Sequence, residues 1–293
     1  MSVFALCLVL LAGLIHASWN IAAKKAGGDA RFAVFSGMVG VVVWAPLAIW
    51  LGVDEVPRWN TTQWAMLALS ACVHALYFVV LLRGYRKADL TVVYPLARGL
   101  GPLISSLAAV LLLGERLNLW GALGLAGVVV GVFLIAGGPG LWRTPRDPAQ
   151  AARLRAGLRY GALTGMCIAC YTVADGYAVK VLLISPILFD YASNVLRMGL
   201  MGPTVLRDVP AARLLWRAQW RYAVLVGVLS PVSYVLVLYA VQTAPLSHVA
   251  PAREVSMLFA ALLGGHLLGE GQRGIRLLGA GCIALGVVAL ALG

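Results

Sequence analysis

Charge is scarce in this sequence, and acidic charge scarcest: 11 Asp and Glu stand against 23 Lys and Arg in 293 residues, 12% charged in all. Soluble domains carry about a quarter charged residues, so a fully water-facing surface is excluded. No Walker-type glycine-lysine loop is present, and no His-Glu-x-x-His pair. A nucleotide-driven pump and a zinc peptidase are thereby set aside. The four histidines, His16, His74, His248 and His266, show no ligand spacing, so neither a metal nor a cofactor is expected. Cysteine is also sparse: Cys7, Cys72, Cys167, Cys170 and Cys282 all fall inside apolar runs. Cys167 and Cys170 make a Cys-x-x-Cys, but redox or metal chemistry needs accessible thiolates and further ligands, so they read as small packing residues.

Apolar residues are abundant: 61% of the chain, with a mean hydropathy of +0.90. A helix needs about 20 apolar residues to cross the hydrocarbon. Ten such runs occur, at 3–23, 32–52, 62–82, 89–113, 118–137, 157–179, 186–206, 220–241, 246–268 and 274–292. None alternates as a barrel strand would, so the fold class is an all-α integral membrane protein with ten transmembrane helices. No basic residue precedes Phe4 and no small-residue cleavage motif interrupts the first run, so it is kept as a helix rather than a signal peptide. Seventeen of the 23 basic residues lie in alternate loops, while the opposite loops hold only Arg58, Arg116 and Lys180. That bias is the positive-inside signature. It predicts both termini outside the cytoplasm, in what reads as a bacterial inner membrane, and it assigns the net charge of +12 to a lipid bilayer rather than to nucleic acid.

The chain also repeats itself. A shift of 155 positions carries Ala97-Arg98 onto Ala252-Arg253, Leu112-Leu113-Gly114-Glu115 onto Leu267-Leu268-Gly269-Glu270, and Gly124 and Gly131 onto Gly279 and Gly286. Asn20 and Lys25 fall on Asp175 and Lys180 by the same shift. The expected organisation is a first five-helix repeat over 1–137, a Pro- and Arg-rich cytoplasmic linker over 138–156, and a second repeat over 157–293.

Ionised groups inside apolar segments are expensive and mark function or internal pairing. Arg98 and Arg253 head the candidates, each two or three residues after a proline, Pro95 or Pro251. Tyr94 shares a helix face with Arg98, and the prolines and glycines around it predict a weakened helix lining a cavity. The first helix offers His16 and Asn20; His16 reads equally as a helix-to-helix hydrogen bonder. The third offers Ser70, His74 and Tyr77, either an aromatic packing face or a cavity wall. The sixth carries Tyr171 and Asp175, and the eighth sets Ser230, Ser233 and Tyr234 around Pro231. Glu254 adjoins Arg253, and since neighbours diverge by about 100° around a helix, one is expected to bind while the other pairs. Asp190, Asn194 and Arg197 sit four and three apart, which permits a structural ion pair bridged by the amide, with Arg197 also a possible site residue. Glycine stripes on the fifth and tenth helices read as scaffold or oligomer contact, leaving a monomer or a homodimer open.

Two five-helix halves, a proline-then-arginine helix followed by Leu-Gly-Glu in each, and a glycine-rich last helix in each resemble the drug/metabolite transporter superfamily and its ten-helix EamA-type members. His16-Ala17-Ser18-Trp19-Asn20 with Tyr94-Pro95-Leu96-Ala97-Arg98-Gly99 resembles a subgroup associated by name with phosphonate utilisation. The resemblance implies two inverted repeats around a central cavity and alternating access. Members often have cytoplasmic termini, which the charge bias here reverses.

On this reading the chain is a gradient-driven carrier of a small polar metabolite. Arg98 and Arg253 would hold a carboxylate, phosphonate or phosphate, for which a planar guanidinium is well shaped. Asp175 and Glu254 would take an amino group or a proton, a combination suited to amino acids or aminophosphonates. The other readings are a proton-coupled efflux carrier for cationic compounds, arginines neutralised by Asp175, Glu254 and Asp190 without a binding role, and a membrane-embedded enzyme, for which no nucleophile or metal cluster is evident.

Overall fold

The computed structural model describes residues 1–27, 29–88, 90–136, 147–268 and 273–293, the side chains of 90, 91, 264–268, 273 and 276 excepted. The second Leu-Gly-Glu ending at Gly269–Glu270, and Arg143 and Arg146, lie outside the described residues. The first half comprises α1 (Val3–Ala26), α2 (Ala30–Glu55), α3 (Thr61–Lys87), α4 (Leu90–Leu112) and α5 (Leu119–Ile135), with a 3-10 turn at Val56–Arg58. The second comprises α6 (Pro148–Lys180), α7 (Pro186–Met201), the short α8 (Pro203–Leu206), α9 (Val209–Thr243), α10 (Leu246–Ala252), α11 (Val255–Leu268) and α12 (Arg273–Leu292). Among the described residues there is no strand. The chain is an all-α membrane fold in which α10 and α11 are two pieces of one crossing, and α7 with α8 are two pieces of another.

Polar caps set the helix starts. Asn60 and Gln63 form a reciprocal capping box on α3, and Asn118 accepts from the Gly121 amide to start α5. Asp147 accepts from the Gln150 amide with Pro148 in the first turn, so α6 begins inside the predicted 138–156 linker. Asp208 likewise accepts from the Ala211 amide, which carries α9 well before residue 220. Both helices therefore extend N-terminal to the expected spans, and the added turns carry Arg153 and Arg155 on α6 and Arg213 and Arg217 on α9. α4 continues unbroken through Pro95 and Pro102, whereas the equivalent ninth span breaks after Pro251.

The halves exchange roles in their packing. α4 packs on α6 as α11 packs on α1; α3 packs on α6 as α9 packs on α1; α2 meets α9 as α7 meets α3. Five crossings are an odd number, so the second half enters from the opposite face and the repeats are inverted. α5 and α12 pair with each other, and glycine is what permits it. A Cβ on Gly131 would lie 2.6 Å from the Gly279 carbonyl oxygen, and one on Gly124 would lie 2.7 Å from that of Gly286. Without a hydrophobic drive between helices in lipid, such backbone contact supplies the association. Cys7, Cys72 and Cys170 are exposed on the outer surface rather than packed as expected, and all five cysteines are free.

The face bearing both termini is cross-linked between the halves. Glu115, in the α4–α5 loop, accepts from the Leu246 and Ser247 amides at the start of α10, each 2.8 Å away. Its Oε1 also receives Lys180 Nζ at 2.9 Å. Ser185 donates its amide to Glu55, Gln63 donates to the Leu182 carbonyl, and Asn118 donates to that of Gly293.

Candidate functional site

The break in the ninth span sets the polar centre. Pro251 has no amide to offer the Ser247 carbonyl, and Ser106 of α4 supplies that carbonyl with its hydroxyl at 3.0 Å. α10 ends at Ala252, α11 starts at Val255, and Arg253 and Glu254 occupy the turn between them. Glu254 is 1% exposed and points to α4, where Arg98 Nη2 approaches its Oε2 at 2.9 Å. The approach is a charge contact rather than an aligned hydrogen bond. The same Arg98 nitrogen donates to Ser256 at 3.0 Å, and the guanidinium carbon stands 6.0 Å from the Tyr94 ring centroid. One carboxylate thus neutralises one arginine.

Arg253 is different. It is 8% exposed, its Nε is buried without a partner, and among the described residues no hydrogen bond or ion pair engages its side chain. The local group therefore sets two guanidinium charges against the single carboxylate of Glu254. His16 and Tyr171 lie within electrostatic range of both arginines. His16 also meets Trp19 edge to face at 4.6 Å. Asn20 donates to the His16 carbonyl in its own helix at 2.8 Å, so the structure does not draw it toward the arginines.

Asp175 centres a second group. It is 1% exposed; Oδ2 accepts a hydrogen bond from the Tyr234 hydroxyl, and Oδ1 is buried without a hydrogen-bond partner. His74 Nε2 stands 3.9 Å from Oδ2. His74 Nδ1 is 2.9 Å from the Ser70 carbonyl, which can only accept, so Nδ1 carries a proton and Nε2 faces Asp175. A proton bound here sits between a carboxylate and an imidazole nitrogen. Tyr171 stacks on His74 with centroids 3.9 Å apart and meets Tyr77 edge to face at 5.9 Å. Tyr171, one turn before Asp175 on α6, thus adjoins both polar groups.

The expected Asp190–Arg197 ion pair does not form. Arg197 Nη2 instead donates to Asn194 Oδ1 at 2.7 Å, and Asn194 donates to the Gly37 carbonyl of α2 at 3.0 Å. The amide half of the expected arrangement is present, turned toward α2 by the Gly37 carbonyl. Sequence reasoning missed Ser193, within 3.3 Å of Ser70, and Trp19, whose indole donates to Ser233. It also missed the Glu115–Lys180 pair, although both residues belong to the duplicated pattern and sit on the same membrane face, a signal sufficient to pair them.

The model of the EamA-like transporter family matches residues 3–137 and again 155–292, once for each half. A protein of known crystal structure superposes with a TM-score of 0.76 at 16% identity, over 98% of this chain and 96% of its own. At that identity the likeness is one of fold alone. No curated protein sequence matches the chain, and neither match reaches down to the phosphonate-associated subgroup. With the family matched in both halves, over nearly the whole length, and the helices paired as inverted counterparts, the chain belongs to the EamA-like transporter family and is a multi-pass membrane transporter of the drug/metabolite type.

Proposed function

We propose that the protein is a secondary carrier that exports or exchanges small zwitterionic or anionic metabolites, such as amino acids or aminophosphonates, by alternating access. The observation that carries this reading is Arg253, a buried cation at a helix break whose side chain makes no hydrogen bond or close ion pair among the described residues, the one nearby carboxylate, Glu254, being in direct contact with Arg98. An isolated buried charge is expensive, and a carboxylate or phosphonate would offset it with two parallel hydrogen bonds. Arg98 is held in reserve by Glu254 and adds its field. The ammonium end of the solute, or a coupling proton, belongs at Asp175, whose Oδ1 is buried without a hydrogen bond and whose Oδ2 stands 3.9 Å from His74 Nε2. Asn20, Tyr77, Tyr94, Tyr171 and Tyr234 complete the proposed lining, with His16 and Arg197 at its margins. In this reading the carrier sits in a bacterial inner membrane with both termini periplasmic.

Counterflow into proteoliposomes tests the substrate class. 2-Aminoethylphosphonate and alanine should exchange, while ethylamine, which lacks the anionic end, should not, and ethylphosphonate, which lacks the ammonium, should exchange weakly. The aromatic surround of Asp175, Tyr171 with His74 and Tyr234, favours a second reading, efflux of organic cations. Exchange of ethylamine or of bulkier cations, with none of the zwitterions, would establish that reading and end the first.

A further inference from the structure

Away from the twin arginines, between α2, α7 and α9, lies a cavity of about 200 Å³ whose walls include Trp44, Asp190, Tyr191, Asn194 and Tyr239. Trp44, Asp190, Tyr191 and Tyr239 are half-buried rather than sealed, so the cavity communicates with the exterior of the bundle. Its single acidic group is Asp190. Arg197, two turns along on the same helix face and within electrostatic range of Asp190, spends its Nη2 on Asn194 Oδ1, and the Asn194 amide nitrogen is spent on Gly37. Among the described residues Asp190 has neither a hydrogen bond nor an ion pair. Carboxylates in apolar surroundings at membrane depth are retained where something charged or protic meets them.

The remaining walls suit a cation. Three aromatic residues, Trp44, Tyr191 and Tyr239, share the wall with Asp190, and ring faces attract ammonium groups, most strongly where water is scarce. The cavity thus combines one carboxylate with three aromatic residues in an otherwise mostly apolar wall, and its volume falls under the roughly 300 Å³ at which drug-sized pockets begin. We infer that this cavity is a binding site for a small organic ammonium ion, with Asp190 as its counter-ion, distinct from the seat proposed at Arg253. The proposal does not rest on the transport reading.

Binding of radiolabelled benzylamine to the purified full-length protein in lipid nanodiscs, by equilibrium dialysis at neutral pH, tests it. Benzylamine is cationic there, and benzyl alcohol is its neutral counterpart of nearly the same shape. Saturable benzylamine binding is expected, weakened more than about tenfold by Asp190→Asn, the scale of losing one partner of a buried charge contact. Benzyl alcohol should compete poorly. Val235→Phe, which fills the cavity from α9 and leaves Asp190 in place, should also weaken binding, so the outcome does not hang on one variant folding. Arg253→Gln should leave it unchanged. Equal binding by Asp190→Asn, equal competition by benzyl alcohol, or no saturable benzylamine binding to the parent protein would each overturn the assignment.

Discussion

Lys180, the last residue of α6, lies 2.9 Å from Glu115 in the loop after α4, and the Glu115 side chain is only 9% exposed. The pair joins the two repeats and fixes the start of α10, because the same carboxylate also takes the Leu246 and Ser247 amides. Arg253 stands at the far end of that short helix, so the latch on the terminal face and the break at the centre are mechanically one piece.

The latch should show in the pH dependence of stability. Burial acts to raise the Glu115 carboxyl, but the Ser247 and Leu246 amides and the Lys180 ammonium outweigh it and hold it below its ordinary value. A carboxyl lowered on folding stabilises the fold above the ordinary Glu range, near about 4.3, and that contribution is lost as pH falls through the lowered value. Thermal unfolding in detergent between pH 7 and pH 3 should show that acid-side loss in the parent protein. Glu115→Ala should be less stable by about 2 kcal/mol at pH 7, the scale of charge-assisted hydrogen bonds, and flatter with pH.

Glycine at the α5–α12 crossing is a steric requirement. Gly131→Ala would set its Cβ 2.6 Å from the Gly279 carbonyl oxygen, which is backbone and cannot swing aside. Overpacking of this kind costs about 1–3 kcal/mol, so folded yield and melting temperature should fall. Gly281→Ala, with nothing within 4 Å of the added carbon, should leave both unchanged. Equal effects would remove the crossing as the reason for the stripe.

Orientation follows from the charge bias. A reporter fused after Gly293 should be active only as a periplasmic fusion, and one inserted within residues 138–147 only as a cytoplasmic one. The reverse pattern would restore the orientation common in the family.

Much of this is legible in the sequence. Apolar run length gives the ten crossings and the 155-residue shift gives the duplication, while the inversion of the halves is what the resemblance to the ten-helix EamA-type members implies. The lengths of α6 and α9 were not read, because hydropathy sees only the hydrocarbon portion. The signals were nonetheless present in Asp147-Pro148 and Asp208-Val209-Pro210, an N-cap followed by proline in the first turn. That α4 survives its prolines while the ninth span breaks was not legible. α4 lies along α6 where Gly101 and Gly165 let the two approach, a Cβ on Gly101 falling 2.6 Å from Ile168 Cγ2, and such long-range packing leaves no local trace. Nor could spacing tell which arginine Glu254 would neutralise. Helix geometry separated Glu254 from Arg253, but only the fold brings Arg98 across.

Asp175 is the expected site of coupling. Asp175→Asn should abolish gradient-driven accumulation in proteoliposomes while leaving downhill exchange, since the amide keeps the Tyr234 hydroxyl as a partner but carries no exchangeable charge. His74→Gln should impair accumulation in the same sense. Unimpaired accumulation by Asp175→Asn would remove it from the mechanism.

The two arginines should part company on mutation. Arg98→Gln leaves Glu254 buried and unpaired, a loss of about 3–5 kcal/mol, and should lower folded yield. Arg253→Gln removes a side chain with no hydrogen bond or close ion pair among the described residues and leaves the Arg98–Glu254 contact intact, so the protein should fold with normal yield. The most direct measurement is therefore the affinity of folded Arg253→Gln, beside Arg253→Lys, for a labelled zwitterion such as 2-aminoethylphosphonate. Loss of binding by about tenfold or more in both, with unchanged melting temperature, is the expected result, because lysine keeps the charge and loses the two-pronged geometry. Unchanged affinity in folded Arg253→Gln would contradict the account.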